Sequence, residues 1–158
     1  MNGEHWIGND FLYQYTNTGT VEMIAEGTAF DDVRIAVKIQ ELRVGDEASN
    51  YVFTYGSCVS LTIGDSEIEN GCNDWDLLKN TQFSTKDRDN DDDTRNNGAE
   101  LCKGGFWYSS FCYRVTPNSD YSNIPKVQVY GIFWQSFRGI YESLKSFKIM
   151  VRRVPSSR

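Results

Sequence analysis

The chain has 158 residues, 39% of them hydrophobic and 14% aromatic, with a formal charge of −6. The length suits one domain with a real core, and the acidity excludes a nucleic-acid binder, which needs a broad basic face to neutralise phosphates. No apolar run approaches a membrane span.

In chain order, the first strand-like segment is Phe11–Tyr15. Asn17-Thr18-Gly19 then reads as a hairpin turn. Val33–Ile39 alternates apolar and other residues over part of its length, the pattern of a strand with one buried face. Tyr51–Tyr55, Ser60–Ile63 and Lys126–Phe133 are likewise rich in β-branched and aromatic residues and bounded by Gly, Asn and Asp. Helical signals are few, and Asp74–Lys79 fits one short turn of helix. Thr85–Gly98 is too polar to pack against anything apolar. Arg152, Arg153 and Arg158 form the only basic cluster and read as a solvated tail. The fold class expected from this pattern is α+β, mainly antiparallel strands with short helices and long loops.

The nine Tyr, nine Phe and four Trp suit either a recognition surface or an aromatic core. The four cysteines, Cys58, Cys72, Cys102 and Cys112, contain no Cys-x-x-Cys, which argues against a zinc site or a redox pair. They allow three pairings, and the local one, Cys58–Cys72 with Cys102–Cys112, is the simplest. Four reduced, buried thiols are the alternative. Catalytic constellations are missing from the sequence: the single histidine is His5, and there is no Gly-x-Ser-x-Gly. The chain is therefore expected not to be an enzyme.

The most informative stretch is Lys86-Asp87-Arg88-Asp89-Asn90-Asp91-Asp92-Asp93-Thr94-Arg95. Aspartates recur at alternate positions 87, 89, 91 and 93. Carboxylates this close repel one another unless they are solvated or a hard cation sits among them. Calcium takes six to eight oxygen ligands in a flexible loop. A solvated acidic loop is the alternative on spacing alone. An EF-hand starting at Asp89 would place Glu100 at its twelfth position but Thr94 where that motif needs Gly, and its flanks are not amphipathic helices.

The segment Phe83-Ser84-Thr85-Lys86-Asp87-Arg88-Asp89-Asn90-Asp91 resembles the calcium-loop signature of fibrinogen-type C-terminal domains. Trp6-Ile7-Gly8-Asn9-Asp10, Val44-Gly45-Asp46-Glu47-Ala48-Ser49-Asn50-Tyr51, Gly105-Phe106-Trp107-Tyr108, Gly131-Ile132-Phe133-Trp134 and Ser143-Leu144-Lys145 match further family segments in the same order. The resemblance spans almost the whole chain. It implies a domain over residues 1–154, amino-terminally incomplete, and a tail over 155–158. It also implies disulfides rather than thiols. Carried over by position, Asp89 and Asp91 would give carboxylates to Ca2+, Asp93 and Arg95 main-chain carbonyls, and Asp87 would stand outside the first shell.

By the same resemblance, a pocket beside this loop would be lined by Phe106, Tyr108, Phe111, Cys112, Tyr113 and Tyr130, with Trp107 in the core. The departures from the family fall at that pocket. Gly98 stands where the family has a cysteine, so that Cys102 would take over the bridge to Cys112. Tyr113 replaces a histidine, the peptide between Phe111 and Cys112 is one the family often holds cis, and the stretch from Cys112 to Trp134 is short. The implied function is a secreted, extracellular, calcium-dependent module that binds acetylated sugars as a lectin in innate immunity. The alternative is a non-lectin module for a protein receptor or matrix protein. Oligomers in this family form through segments that this chain does not carry.

Overall fold

The computed structural model describes residues 4–64, 70–110, 112–125 and 131–155. Its centre is an antiparallel four-stranded sheet in the order β5-β2-β1-β8, where β1 is Val21–Thr28, β2 Arg34–Gln40, β5 Ser57–Leu61 and β8 Ser146–Arg153. β1 and β2 form a hairpin, with Thr28 opposite Arg34 and Met23 opposite Ile39. β8 runs along the whole other side of β1, from Val21 opposite Arg153 to Thr28 opposite Ser146. Two small ribbons complete the strands. One pairs β3 (Arg43–Val44) with β4 (Phe53–Thr54), the other β6 (Phe83–Ser84) with β7 (Phe106–Trp107).

The helices are α1 (Asn9–Asn17), α2 (Cys72–Leu78), α3 (Gly98–Leu101) and α4 (Gln135–Arg138). This confirms the α+β class. Among the described residues, no helix is long and apolar enough to cross a membrane.

Three local expectations are corrected. Phe11–Tyr15 lies in helix α1, not in a strand. Its four-residue spacing prevails over its aromatic content: Leu12 and Thr16 are buried on one face, and Phe11 stacks on Tyr15 at 5.5 Å on another. Asn17-Thr18-Gly19 is accordingly the end of that helix and not a hairpin turn. There Asn17 donates its amide to the carbonyls of Tyr13 and Val44, and the Thr18 hydroxyl donates to Gln14. Arg152 and Arg153 belong to β8, not to a solvated tail. Arg152 Nε donates to Glu22 Oε1 at 2.5 Å, and Arg153 lies over the Tyr15 ring at 4.9 Å.

The expected strands near Val33–Ile39 and Ser60–Ile63 form as β2 and β5, and the expected turn of helix at Asp74–Lys79 falls in α2. Tyr51–Tyr55 yields only the two-residue β4. Most of Lys126–Phe133 lies outside the described residues, and residues 131–133 are irregular.

The core sits on one face of the sheet, where Met23, Ala25, Ile35, Val37 and Ile39 are buried. Trp75 of α2 is its hub, with ring centroids 6.1 Å from Phe53, 6.2 Å from Phe106 and 5.9 Å from Trp134. Both expected local disulfides are present. Cys58–Cys72 fastens the start of α2 to the edge strand β5, and Cys102–Cys112 joins the end of α3 to the segment after β7.

Candidate metal loop and adjoining cavity

The acidic loop leaves β6 and is folded by its own side chains. Ser84 Oγ accepts from the Asn90 amide N–H at 3.0 Å, and Asn90 Nδ2 donates to the Phe83 carbonyl at 2.7 Å. Thr85 and Arg88 exchange backbone hydrogen bonds and reverse the chain between them. Three Asp side chains then each accept from the N–H two residues on. Asp89 Oδ1 takes Asp91 N at 3.3 Å, Asp91 Oδ1 takes Asp93 N at 2.8 Å, and Asp93 Oδ1 takes Arg95 N at 3.0 Å. This repeated short turn is a preference of Asp itself. It is why alternate aspartates form a compact loop instead of splaying apart.

Asp91 is the pivot. Its second oxygen accepts from the Gly98 N–H at 2.8 Å, which ties the loop to the start of α3. Asn97 caps α3 by accepting from the N–H groups of Ala99 and Glu100, and its amide donates back to the carbonyls of Thr85 and Lys86. Burial raises the Asp91 carboxyl above the ordinary value, and the neighbouring Asp89 and Asp93 charges push it the same way. Asp93 is lowered, first by the hydrogen bond from Asn96 at 3.0 Å. Asp87 is lowered chiefly by its hydrogen bond with Thr85 and is exposed, outside this ladder.

The donor set is therefore all oxygen, which is what a hard cation takes. Each carboxylate oxygen that accepts one N–H keeps a second lone pair. Among the described residues, no three His, Cys, Asp or Glu side chains gather around one point. The described side chains therefore do not form an all-carboxylate cage, and any ion here would need main-chain oxygens as well. The Arg95 side chain is 82% exposed and reaches Asp93 only at 4.0 Å.

A cavity of about 150 Å³ opens beside the loop, lined by Asp93, Asn96, Gly98, Leu101, Ser110, Cys112 and Tyr113. Of the residues expected in a pocket here, Cys112 and Tyr113 line it. Phe106 and Tyr108 do not: they are 0% and 1% exposed and belong to the core. Tyr108 turns inward, donating its hydroxyl to the Gly104 carbonyl at 2.6 Å. Trp107 is also core, as expected, with its indole N–H donating to the Tyr51 carbonyl at 2.7 Å. Phe111, with the peptide joining it to Cys112, and Tyr130 lie outside the described residues.

Asn96, Leu101 and Ser110 were not legible as pocket residues. The one signal was Leu101, an apolar residue between Glu100 and Cys102, which the fold leaves 39% exposed. Asp93, Asn96 and Gly98 serve the loop and the cavity together.

Residues 1–154 match the family model described as the C-terminal globular domain of fibrinogen beta and gamma chains. The human fibrinogen alpha chain is 34% identical over 95% of this chain and 18% of its own length. Rat fibrinogen-like protein 1 is 31% identical over 96% of this chain and 49% of its own. The chain thus spans less than half the length of these curated relatives.

Among solved structures, the fibrinogen-like globe domain of human ANGPTL2 superposes with a TM-score of 0.83 at 27% identity, over 98% of this chain and 68% of that one. A lamprey fibrin D-dimer complexed with the peptide Gly-His-Arg-Pro-amide superposes with a TM-score of 0.76 over 96% of this chain and 52% of that one. At 18% identity this second likeness bears on the fold alone. Its sequence and its architecture place this chain in the fibrinogen C-terminal domain family.

Proposed function

We propose that the chain is an extracellular recognition module in which a calcium ion orders the Asp87–Arg95 loop and thereby shapes the adjoining cavity. The observation that carries this reading is the shared wall. Asp93, Asn96 and Gly98 hold the loop together and also line the cavity, so an ion that fixes the loop fixes part of the binding surface. Asp89 and Asp91 would supply carboxylates, and Asp93 and Arg95 main-chain carbonyls. The ion's charge offsets the burial that chiefly raises Asp91 and relieves the repulsion from Asp89 and Asp93 that adds to it. Two disulfides support an oxidising, extracellular setting.

The ligand of the cavity is read as a small acetylated group, as on a sugar recognised by a lectin of innate immunity. Leu101 and Tyr113 offer apolar surface for a methyl group, and Asn96 and Ser110 offer polar partners. A second reading, a protein receptor or matrix protein as partner, is favoured by the burial of Phe106 and Tyr108. Their burial leaves a cavity of only about 150 Å³, small for a sugar ring.

Thermal melting in calcium and in chelator tests the metal. By mass action, calcium at 100 times its dissociation constant adds about 2.7 kcal/mol of stability. An identical melting temperature in both conditions overturns the metal reading. A glycan array with and without calcium tests the ligand. Retention of acetylated but not deacetylated sugars supports the lectin reading; its absence in both conditions leaves the protein partner as the reading of the site.

A further inference from the structure

The two disulfides stand in different surroundings. Cys102 and Cys112 are 1% and 2% exposed, inside the core. Cys58 and Cys72 are both partly exposed, one on the edge strand β5 and the other at the first residue of α2. Two residues beyond Cys72, α2 presents Asp74, a carboxylate with 4% exposure. Asp74 Oδ2 accepts from the Ser136 backbone N–H at 2.7 Å, and Oδ1 faces Arg114 Nη1 at 3.9 Å. Arg114 in turn donates to Gln135 Oε1 at 2.7 Å, and its carbonyl accepts the Gln135 N–H at 2.9 Å. Arg114 directly follows Cys112 and Tyr113, which line the cavity. The backbone of α2 therefore links the partly exposed bridge to the buried Asp74, whose contacts lead through Arg114 to the cavity wall.

We propose that the Cys58–Cys72 disulfide is a thiol-cleavable clamp that sets the cavity wall through Asp74. Its functional consequence rests on the reading of the cavity as the ligand seat. The reductant is a low-molecular-weight thiol of the glutathione class. Its thiolate attacks one sulfur of the exposed bridge, forming a mixed disulfide and expelling the other cysteine as a thiolate. A second thiol attacks the mixed disulfide, leaving two protein thiols and one molecule of oxidised reductant. The protein gains two electrons and two protons, and two reductant thiols lose them. The Cys102–Cys112 bridge, although Cys112 borders the cavity, is 1% and 2% exposed at its two residues and offers the same thiol far less access. With the clamp open, the start of α2 is free of β5, and Asp74 no longer holds Ser136 and Arg114 in fixed places.

The test uses the full chain and reduced glutathione in increasing concentration, with alkylation and peptide mapping at each step. Cys58 and Cys72 are expected to be labelled while Cys102 and Cys112 are still bonded. Opening of both bridges together, or of Cys102–Cys112 first, overturns the proposal. Amide hydrogen exchange, read residue by residue by NMR, follows the relay without any ligand. At the reductant concentration that opens only the exposed bridge, the Ser136 and Gln135 amides are expected to exchange several-fold faster. Unchanged exchange at both amides overturns the relay. Asp74→Ala, which removes the acceptor with both bridges intact, is expected to speed exchange at Ser136 alike, and failure to do so also counts against it. Because these readouts need no ligand, they stand or fall separately from the ligand reading.

Discussion

Gly98 is the residue at which the acidic loop, the buried disulfide and the core meet. A Cβ built there would lie 2.8 Å from Asp91 Oδ2, 3.3 Å from Cys112 Cβ and 3.4 Å from the Tyr108 ring. Only a hydrogen at this position lets the Gly98 N–H reach Asp91 while Tyr108 packs behind it. Gly98→Ala is therefore expected to displace the Asp91 carboxylate and to destabilise the domain by about 1–3 kcal/mol, measured by denaturant unfolding in chelator.

The neighbouring carboxylates are expected to titrate in opposite directions. With its folded value raised, the Asp91 carboxyl favours the folded state when protonated. That stabilisation is complete below the unfolded value near 3.8 and is lost as pH rises through the higher folded value. With its folded value lowered, Asp93 contributes stability above 3.8 that is lost as pH falls through the lower one. Carboxyl NMR titration in chelator should find Asp91 protonating at a higher pH than Asp93. Calcium should bring the Asp91 midpoint down, and coinciding midpoints in chelator would refute the electrostatic account.

Helix α3 has only four residues, too few to be stable on its own, and Asn97 is what starts it. Its oxygen caps two N–H groups and its amide closes the loop onto Thr85 and Lys86. Asn97→Ala removes both functions and is expected to cost about 1–2 kcal/mol in the unfolding free energy. Strand β8 depends on a different contact. Glu22 on β1 is 8% exposed, and Arg152 across the ladder neutralises it. Arg152→Ala leaves that carboxylate without its charged partner; because the Arg152 side chain is itself 75% exposed, the expected loss is about 1 kcal/mol by denaturant unfolding. Arg152→Lys should recover part of it, because the charge returns but the two-pronged geometry does not. Neither β1 nor β8 was legible as a strand. Burial alternates along β1 from Met23 to Thr28, but two of the inward positions are Ala25 and Gly27, which give no apolar stripe to read, and Ile24 lies between buried positions. The charges of β8 look like a tail until Glu22 and Tyr15 are placed beside them.

Across the whole molecule, Trp75 connects both small ribbons, through Phe53 and Phe106, to Trp134 at the start of α4, and Trp134 in turn packs on Phe147 of β8. Trp75→Ala is expected to cost about 3–5 kcal/mol, which leaves little of a typical domain's stability; loss of near-ultraviolet circular dichroism at ambient temperature is the measurement. This hub joins residues far apart in the sequence, and no periodicity of α2 announced it. The sequence alone was enough to identify the domain family, the aspartate loop and the local disulfide pairing as the simplest one. Each of these depends on residue identity at short spacing, which survives without knowledge of the fold. Which aromatics stand in the wall and which in the core depended on tertiary structure. Phe106 and Tyr108 point inward because the β6–β7 ribbon lies against the Trp75 hub, while Leu101 and Tyr113 are left at the cavity. The acidic loop that dominates the sequence was thus readable from its spacing. Its attachment through Gly98 to a cavity shared with Leu101, Ser110, Cys112 and Tyr113 was not, because burial and side-chain direction are set only when the chain packs.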